Sequence, residues 1–179
     1  MKNTFKKSVA LLAFVAVFAM IFTGCKKDDS SSSSGGGGNI PTGDYGTVTV
    51  AGTSYNIAVA GYEAYYDEDL QEYLLTIVMA DRTNYQTANM VEFVIVGAQS
   101  LPSSGTYNII SQDPMPVGSC GGMFMSPQSG KLICTSGTLT ISGTSSDYHI
   151  QSSGQATPMG GGTAMAFTVN FEGPLVQGK

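Results

Sequence analysis

The chain has 179 residues, a formal charge of −5 and only 12% charged residues, with 23 glycines and no tryptophan. An average globular chain is about 25% charged, so this composition argues against a charged coiled coil and against a highly charged disordered chain. Eight Lys+Arg against thirteen Asp+Glu also argue against a nucleic-acid partner, because neutralising phosphates needs clustered bases.

The first predicted element is a secretory signal peptide over 1–24. Lys2, Lys6 and Lys7 precede an apolar run from Val9 to Phe22. That run falls short of the roughly 20 residues that span a bilayer, and a basic start, a short apolar core and small residues at its end are the marks of an export signal. An uncleaved membrane anchor is the alternative, and it too puts the rest of the chain outside the cytoplasm. Phe22-Thr23-Gly24-Cys25 resembles the lipobox of bacterial lipoproteins, with Phe22 standing where that family prefers Leu, Val or Ile. The resemblance implies cleavage before Cys25, acylation of its thiol and the membrane as a partner reached through lipid. Each buried methylene contributes about 0.8 kcal/mol, so two or three acyl chains anchor a protein firmly.

Residues 25–39 read as a flexible linker. Lys26-Lys27-Asp28-Asp29 is followed by five serines (Ser30 to Ser34) and four glycines (Gly35 to Gly38). Such a tract buries no apolar area and reaches roughly 20 Å from the anchor by random-coil scaling. Its Lys-Asp-Asp resembles the export signal of surface lipoproteins in the Bacteroidota, which implies a lipid anchor in the cell outer membrane and exposure on the cell surface. The alternative is a solvated charged linker on a lipoprotein facing the periplasm.

Residues 40–179 are expected to form one all-β domain, long enough to bury about two thirds of the unfolded chain's surface. Period-two alternation dominates and no sustained helical period occurs. Val48 and Val50 alternate with Thr47 and Thr49, and Ala51-Gly52 offers a tight turn into Tyr55, Ile57 and Val59. Tyr73, Leu75, Ile77 and Met79 line one face of the next strand, and Val91, Phe93 and Ile95 follow the polar loop from Arg82 to Asn89. Tyr107 and Ile109 come after the Pro102–Gly105 turn, then Leu132 with Cys134, Leu139 with Ile141, and Tyr148 with Ile150. The last strand alternates Met165, Phe167, Val169 and Phe171 with Ala166, Thr168 and Asn170, and Pro174 is expected to end the sheet. The pattern predicts a single antiparallel β-sandwich of about eight or nine strands, with a β-barrel as the alternative. Asp113–Gly130 is expected to be a long loop.

Gly46 to Val50, Leu101 to Tyr107, Ser136 to Ser142 and Asn170 to Leu175 together resemble small lipoproteins of unknown function from gut Bacteroidota. That resemblance implies a fold and a compartment.

The densest polar cluster runs from Tyr62 to Tyr73, with Asp67, Glu68, Asp69 and Glu72 flanked by tyrosines. Three readings are open. Calcium takes about 6–8 oxygen ligands, and Asp67, Asp69 and Glu72 are the candidates for it. A glycan face would stack sugar rings on Tyr65, Tyr66 and Tyr73 while Asp67, Asp69 and Glu72 accept hydroxyl bonds. The third reading is a solvated hairpin loop kept acidic for solubility. No other cofactor or metal is expected.

Cys120 and Cys134 are candidates for a disulfide, which would contribute roughly 3 kcal/mol over a loop of about 15 residues. His149, the single histidine, is expected to face solvent because Tyr148 and Ile150 face inward. No Gly-x-Ser-x-Gly segment opens a helix, and neither Gly121-Gly122 nor Gly160 to Gly162 precedes one, so neither a serine hydrolase nor a phosphate cradle is supported.

The expectation is therefore a non-enzymatic lipoprotein, a binding or accessory module for a glycan or a cell-surface protein. A structural component of a surface assembly is the alternative, and a small hydrolase ranks behind both. From residue 40 onward only Arg82, Lys131 and Lys179 stand against eleven acids, so the domain itself carries a formal charge of −8. An anionic bilayer surface repels such a body, which leaves lipid as the means of attachment.

Overall fold

Apolar–polar alternation from Gly46 onward becomes eleven strands in the computed structural model, which describes residues 41–178 apart from 129 and 145. The predicted signal peptide, Cys25 and the linker lie outside the described residues. Strands β1 (Gly46–Val50) and β2 (Thr53–Asn56) form a hairpin. Its turn residues Ala51 and Gly52 have φ of 53° and 78°, the paired left-handed conformations that match the twist of a two-residue hairpin. Then follow β3 (Val59–Asp67), β4 (Glu72–Ala80), β5 (Met90–Val96) and β6 (Ser104–Ile110). The chain continues through β7 (Ser119–Ser126), β8 (Gly130–Thr144), β9 (Asp147–Pro158), β10 (Met165–Gly173) and β11 (Val176–Gln177).

The all-β class expected from alternation is what forms, and no described residue is helical. The layering differs from a sandwich. All eleven strands join one sheet in the order β11-β3-β4-β5-β7-β6-β8-β9-β10-β1-β2. The pairings β6–β7 and β3–β11 are parallel and the others antiparallel. The chain itself brings the two ends of this ladder together, because only Ile57 and Ala58 separate β2 at one end from β3 near the other. There the Ile57 N–H donates to the Gly46 carbonyl at 2.8 Å, and the Ala58 N–H donates to the Ala80 carbonyl at 2.8 Å. A sheet with its ends so tethered must curl, and the result is closer to the barrel alternative than to two facing layers. Its inner face closes on itself: Val48, Ile77, Phe93, Leu139, Ile150 and Phe167, drawn from six strands, share one core.

Three strand assignments go beyond the alternation signal. The loop expected over Asp113–Gly130 contains β7, whose Gly121-Gly122 pair interrupts the apolar pattern. The sheet does not end at Pro174, because Val176–Gln177 resumes it as β11 beside Gly61 and Tyr62. Strand β8 changes inward parity between Leu132/Cys134 and Leu139/Ile141. A bulge between Cys134 and Ser136 supplies the extra residue, so the inward set stays inward on both sides of it.

Candidate functional site

The outer face of β3, β4, β5, β7 and the start of β8 is unusual for a solvent-facing surface, because much of it is apolar. Register arranges it in rows. Asp67 pairs with Glu72, and the next outward row is Tyr65, Leu74 and Val96. Glu63, Thr76, Val94 and Gly121 follow, then Gly61, Val78, Glu92, Met123 and Ile133. Leu74, Val94 and Val96 are 5%, 2% and 4% exposed, so something must cover them. The cover is the β6–β7 loop, held to β5 by the Gly118 N–H donating to the Val96 carbonyl at 2.8 Å. Met115 of that loop packs with Tyr65 on the Leu74, Val94 and Val96 patch. It settles there because Gly121 has no side chain: a Cβ at that position would lie 2.9 Å from the Met115 sulfur. Gly122 makes the matching room on the inner face, against Phe93 and the Cys134 sulfur. The Gly121-Gly122 pair is thus packing space on both sides of one strand.

Loop and sheet leave a groove of about 300 Å3 between the β6–β7 loop and the β3–β4 hairpin. Leu74, Val94, Val96, Met123 and Ile133 form its floor, Pro114 and Met115 one wall, and Tyr65 and Leu70 the other. Asp67, Glu72 and Asp113 bring carboxylates to it, and Ser111 and Gln112 bring neutral polar groups.

Of the six residues singled out as a ligand face, Tyr65, Asp67 and Glu72 line this groove, while Tyr66, Asp69 and Tyr73 do not. Alternation along β3 and β4 separates them, since odd-numbered Tyr65 and Asp67 point outward. Tyr66 and Tyr73 pair across the hairpin on the other face, 45% and 38% exposed, with ring centroids 5.1 Å apart in an edge-on contact. An edge-on pair offers no continuous flat platform for a sugar ring. Asp67 also closes the hairpin turn, where its Oδ1 accepts the N–H of Asp69 at 3.0 Å and of Leu70 at 2.9 Å.

The calcium set does not assemble. Among the described residues, the group of three His, Cys, Asp or Glu side chains whose ligand atoms converge within 4.8 Å is Asp147, His149 and Glu172, and not Asp67, Asp69 and Glu72. His149 does face outward, flanked by Asp147 at 3.9 Å and Glu172 at 3.5 Å, all with solvent-exposed side chains. Those three are the described residues that could hold a metal ion; the pairing of His149 with Glu172 across β9 and β10 brings them together.

Cys120 and Cys134 are free, buried thiols rather than a disulfide. Continuing the β7–β8 register puts Cys134 opposite Gly122, so the two cysteines are offset by two residues along the strand, about 6.7 Å. That offset adds to the distance between strands and defeats the close Cα approach a bridge requires. Burial raises both thiol pKa values, that of Cys134 up to about 12.

Glu92 is the residue that sequence reasoning missed. It stands in Met90–Val96, a strand buried on both faces, and is itself 2% exposed. Its Oε2 has no hydrogen-bond partner, and neither has that of Glu63 one row away. Burial pushes the Glu92 carboxyl up to about 8, with Lys131 pulling partly the other way. Burial also raises Tyr65, helped by the nearby Asp67 and Glu92 and opposed by a hydrogen bond with Thr76. The available signal was a single acid inside an otherwise apolar strand, Met-Val-Glu-Phe-Val-Ile-Val.

Comparison with protein-family models, with curated proteins and with solved structures finds no match to this chain.

Proposed function

We propose that this protein is a membrane-anchored binding module, lipidated at Cys25, held at the outer membrane and facing the cell surface, which takes an apolar group into the groove beneath the β6–β7 loop. The observation that carries this is the groove floor. Leu74, Val94 and Val96 would be fully wet on an ordinary outer sheet face, yet a loop is laid over them and space remains beside it. A concave, mostly apolar site with a few convergent polar groups is the usual form of a small-molecule or side-chain pocket. Burying a medium apolar side chain there would contribute about 1.5–3 kcal/mol before ordering costs. The glycan reading draws less support, because the aromatic pair Tyr66 and Tyr73 lies off the groove and is not coplanar.

Nile red fluorescence tests the groove. The wild-type chain should enhance and blue-shift the dye, and Met123→Trp, which fills the floor, should abolish most of the effect. Equal enhancement by both proteins would defeat the assignment. For the anchor, radiolabelled palmitate should enter the wild type and not Cys25→Ser. Protease shaving of intact cells should release the domain; protection until lysis would put it on the periplasmic side.

A further inference from the structure

The charge at the groove is one-sided. Three carboxylates, Asp67, Glu72 and Asp113, line it, and none of the lining residues is Lys, Arg or His. Asp67 and Glu72 form the outermost row at the hairpin end, and Tyr65 comes next, its ring flanking the apolar floor. Of the described bases, Arg82 is bound to Asp81 at 3.0 Å. Lys131 lies in the row beyond Met123 and Ile133, at the far end from Asp67 and Glu72. The site thus has an apolar floor, an aromatic side and an acidic mouth. A neutral chain would use only the floor, and an anionic one would meet three like charges.

We propose that the occupant of the groove is a cationic amphiphile, an aliphatic chain ending in an ammonium or guanidinium group, with the chain along Leu70, Tyr65 and Met115 beside the covered floor and the cation at the acidic mouth lined by Asp67, Glu72 and Asp113. A Tyr face beside a cation adds attraction from the ring quadrupole. From the Asp67–Glu72 row to the Val94–Gly121 row is two steps of the pleat, about 13 Å, which suits an eight-carbon chain. A free alkylamine and a long basic side chain of a partner peptide share this chemistry. The proposal rests on the groove being a binding site.

The test is methionine methyl NMR on the full chain, 13C-labelled at the methionine ε-carbon and titrated with n-octylamine, n-octanol and n-octanoate. Met115 and Met123 should shift while remote, exposed Met159 does not. The amine should bind about fivefold more tightly than the alcohol, the order expected of one partly screened ion pair, and octanoate least tightly. In Asp67→Asn/Glu72→Gln/Asp113→Asn the amine should lose that advantage while the alcohol binds as before; Asn at 67 keeps the oxygen that closes the turn. Equal binding of amine and alcohol by the wild type would overturn the cationic preference and leave the groove standing. An amine advantage that survives the triple substitution would overturn the assignment of the three carboxylates. Failure of all three probes to move Met115 and Met123 would overturn the groove itself. An N-acetylated, C-amidated lysine peptide followed by the same Met115 and Met123 shifts separates the two sources of the cation: weaker binding than octylamine is expected of a site for a free alkylamine, and tighter binding would overturn that source in favour of a partner's side chain.

Discussion

Glu92 and Met123 stand opposite one another across the β5–β7 ladder, the carboxyl buried beside the groove and the thioether forming part of its floor. A carboxyl in that position is held protonated by burial, with its pKa moved from 4.5 up to about 8. The folded state therefore keeps a proton that the unfolded chain releases above 4.5. Its contribution to stability is complete below about 4.5, shrinks as pH rises, and is gone once the pH passes about 8. Glu92→Gln should remove this slope, worth a few kcal/mol across the interval, and should be the more stable protein at pH 8.5. Urea denaturation of both proteins at pH 5, 7 and 8.5 measures it, and parallel pH profiles would contradict the assignment.

Gly137 and Gly154 face each other next to the β8 bulge, where the two backbones come unusually close. A Cβ on Gly137 would fall on the Ser153 carbonyl oxygen, and one on Gly154 on the Ser136 carbonyl oxygen. Gly137 also has φ of 141°, which L side chains rarely adopt. Gly137→Ala and Gly154→Ala should each cost about 2–3 kcal/mol or more, whereas Gly160→Ala, with open space at its Cβ, should stay within about 0.5 kcal/mol. Chemical denaturation midpoints distinguish them.

Asp67 and Asp69 are equivalent in composition and unequal in structure. Asp67→Ala removes the acceptor for two backbone N–H groups and should destabilise the domain by about 1 kcal/mol. Asp69→Ala should change stability by less than about 0.5 kcal/mol. Because the carboxylates of Asp67, Asp69 and Glu72 do not converge, millimolar calcium should leave the thermal midpoint of the wild type where it was. A calcium-dependent rise lost in Asp69→Ala would restore the calcium reading.

Both cysteines of the domain lie inside the curl, and burial keeps their thiols from ionising at neutral pH. Iodoacetamide at pH 8 should leave Cys120 and Cys134 unmodified in the folded protein and alkylate both in urea, read by mass spectrometry. Reductant should leave the thermal midpoint unchanged. A midpoint that drops on reduction would show that the two are bridged.

Alternation in Met165 to Phe171 was enough to read strand, face and all-β class, because a half-buried strand prints its period directly in its residues, whereas β4 is buried on both faces from Leu74 to Ala80 and reads as a near-continuous apolar run. The turn at Ala51-Gly52 was legible for the same local reason. β7 was not: Gly121 and Gly122 erase the apolar period where Met115 on one face, and Phe93 and Cys134 on the other, need the room. The candidate site was half legible. Acid-and-tyrosine density marked the right hairpin, and pleat parity then sent Tyr65, Asp67 and Glu72 to the groove and Tyr66 and Tyr73 away from it.

By itself the sequence determined the class of fold, the acidity of the domain and the features that make lipidation at Cys25 the expectation, since each depends on residues close together in the chain. Only the tertiary structure decided that the strands share one curled sheet, that Cys120 and Cys134 miss one another, and that an acid is buried at Glu92. It also decided that a loop some forty residues beyond the hairpin roofs an apolar groove at the hairpin's outer face. These depend on register and closure between distant segments, and pairing energy between strands is nearly indifferent to which distant segment supplies the partner until the whole core is packed.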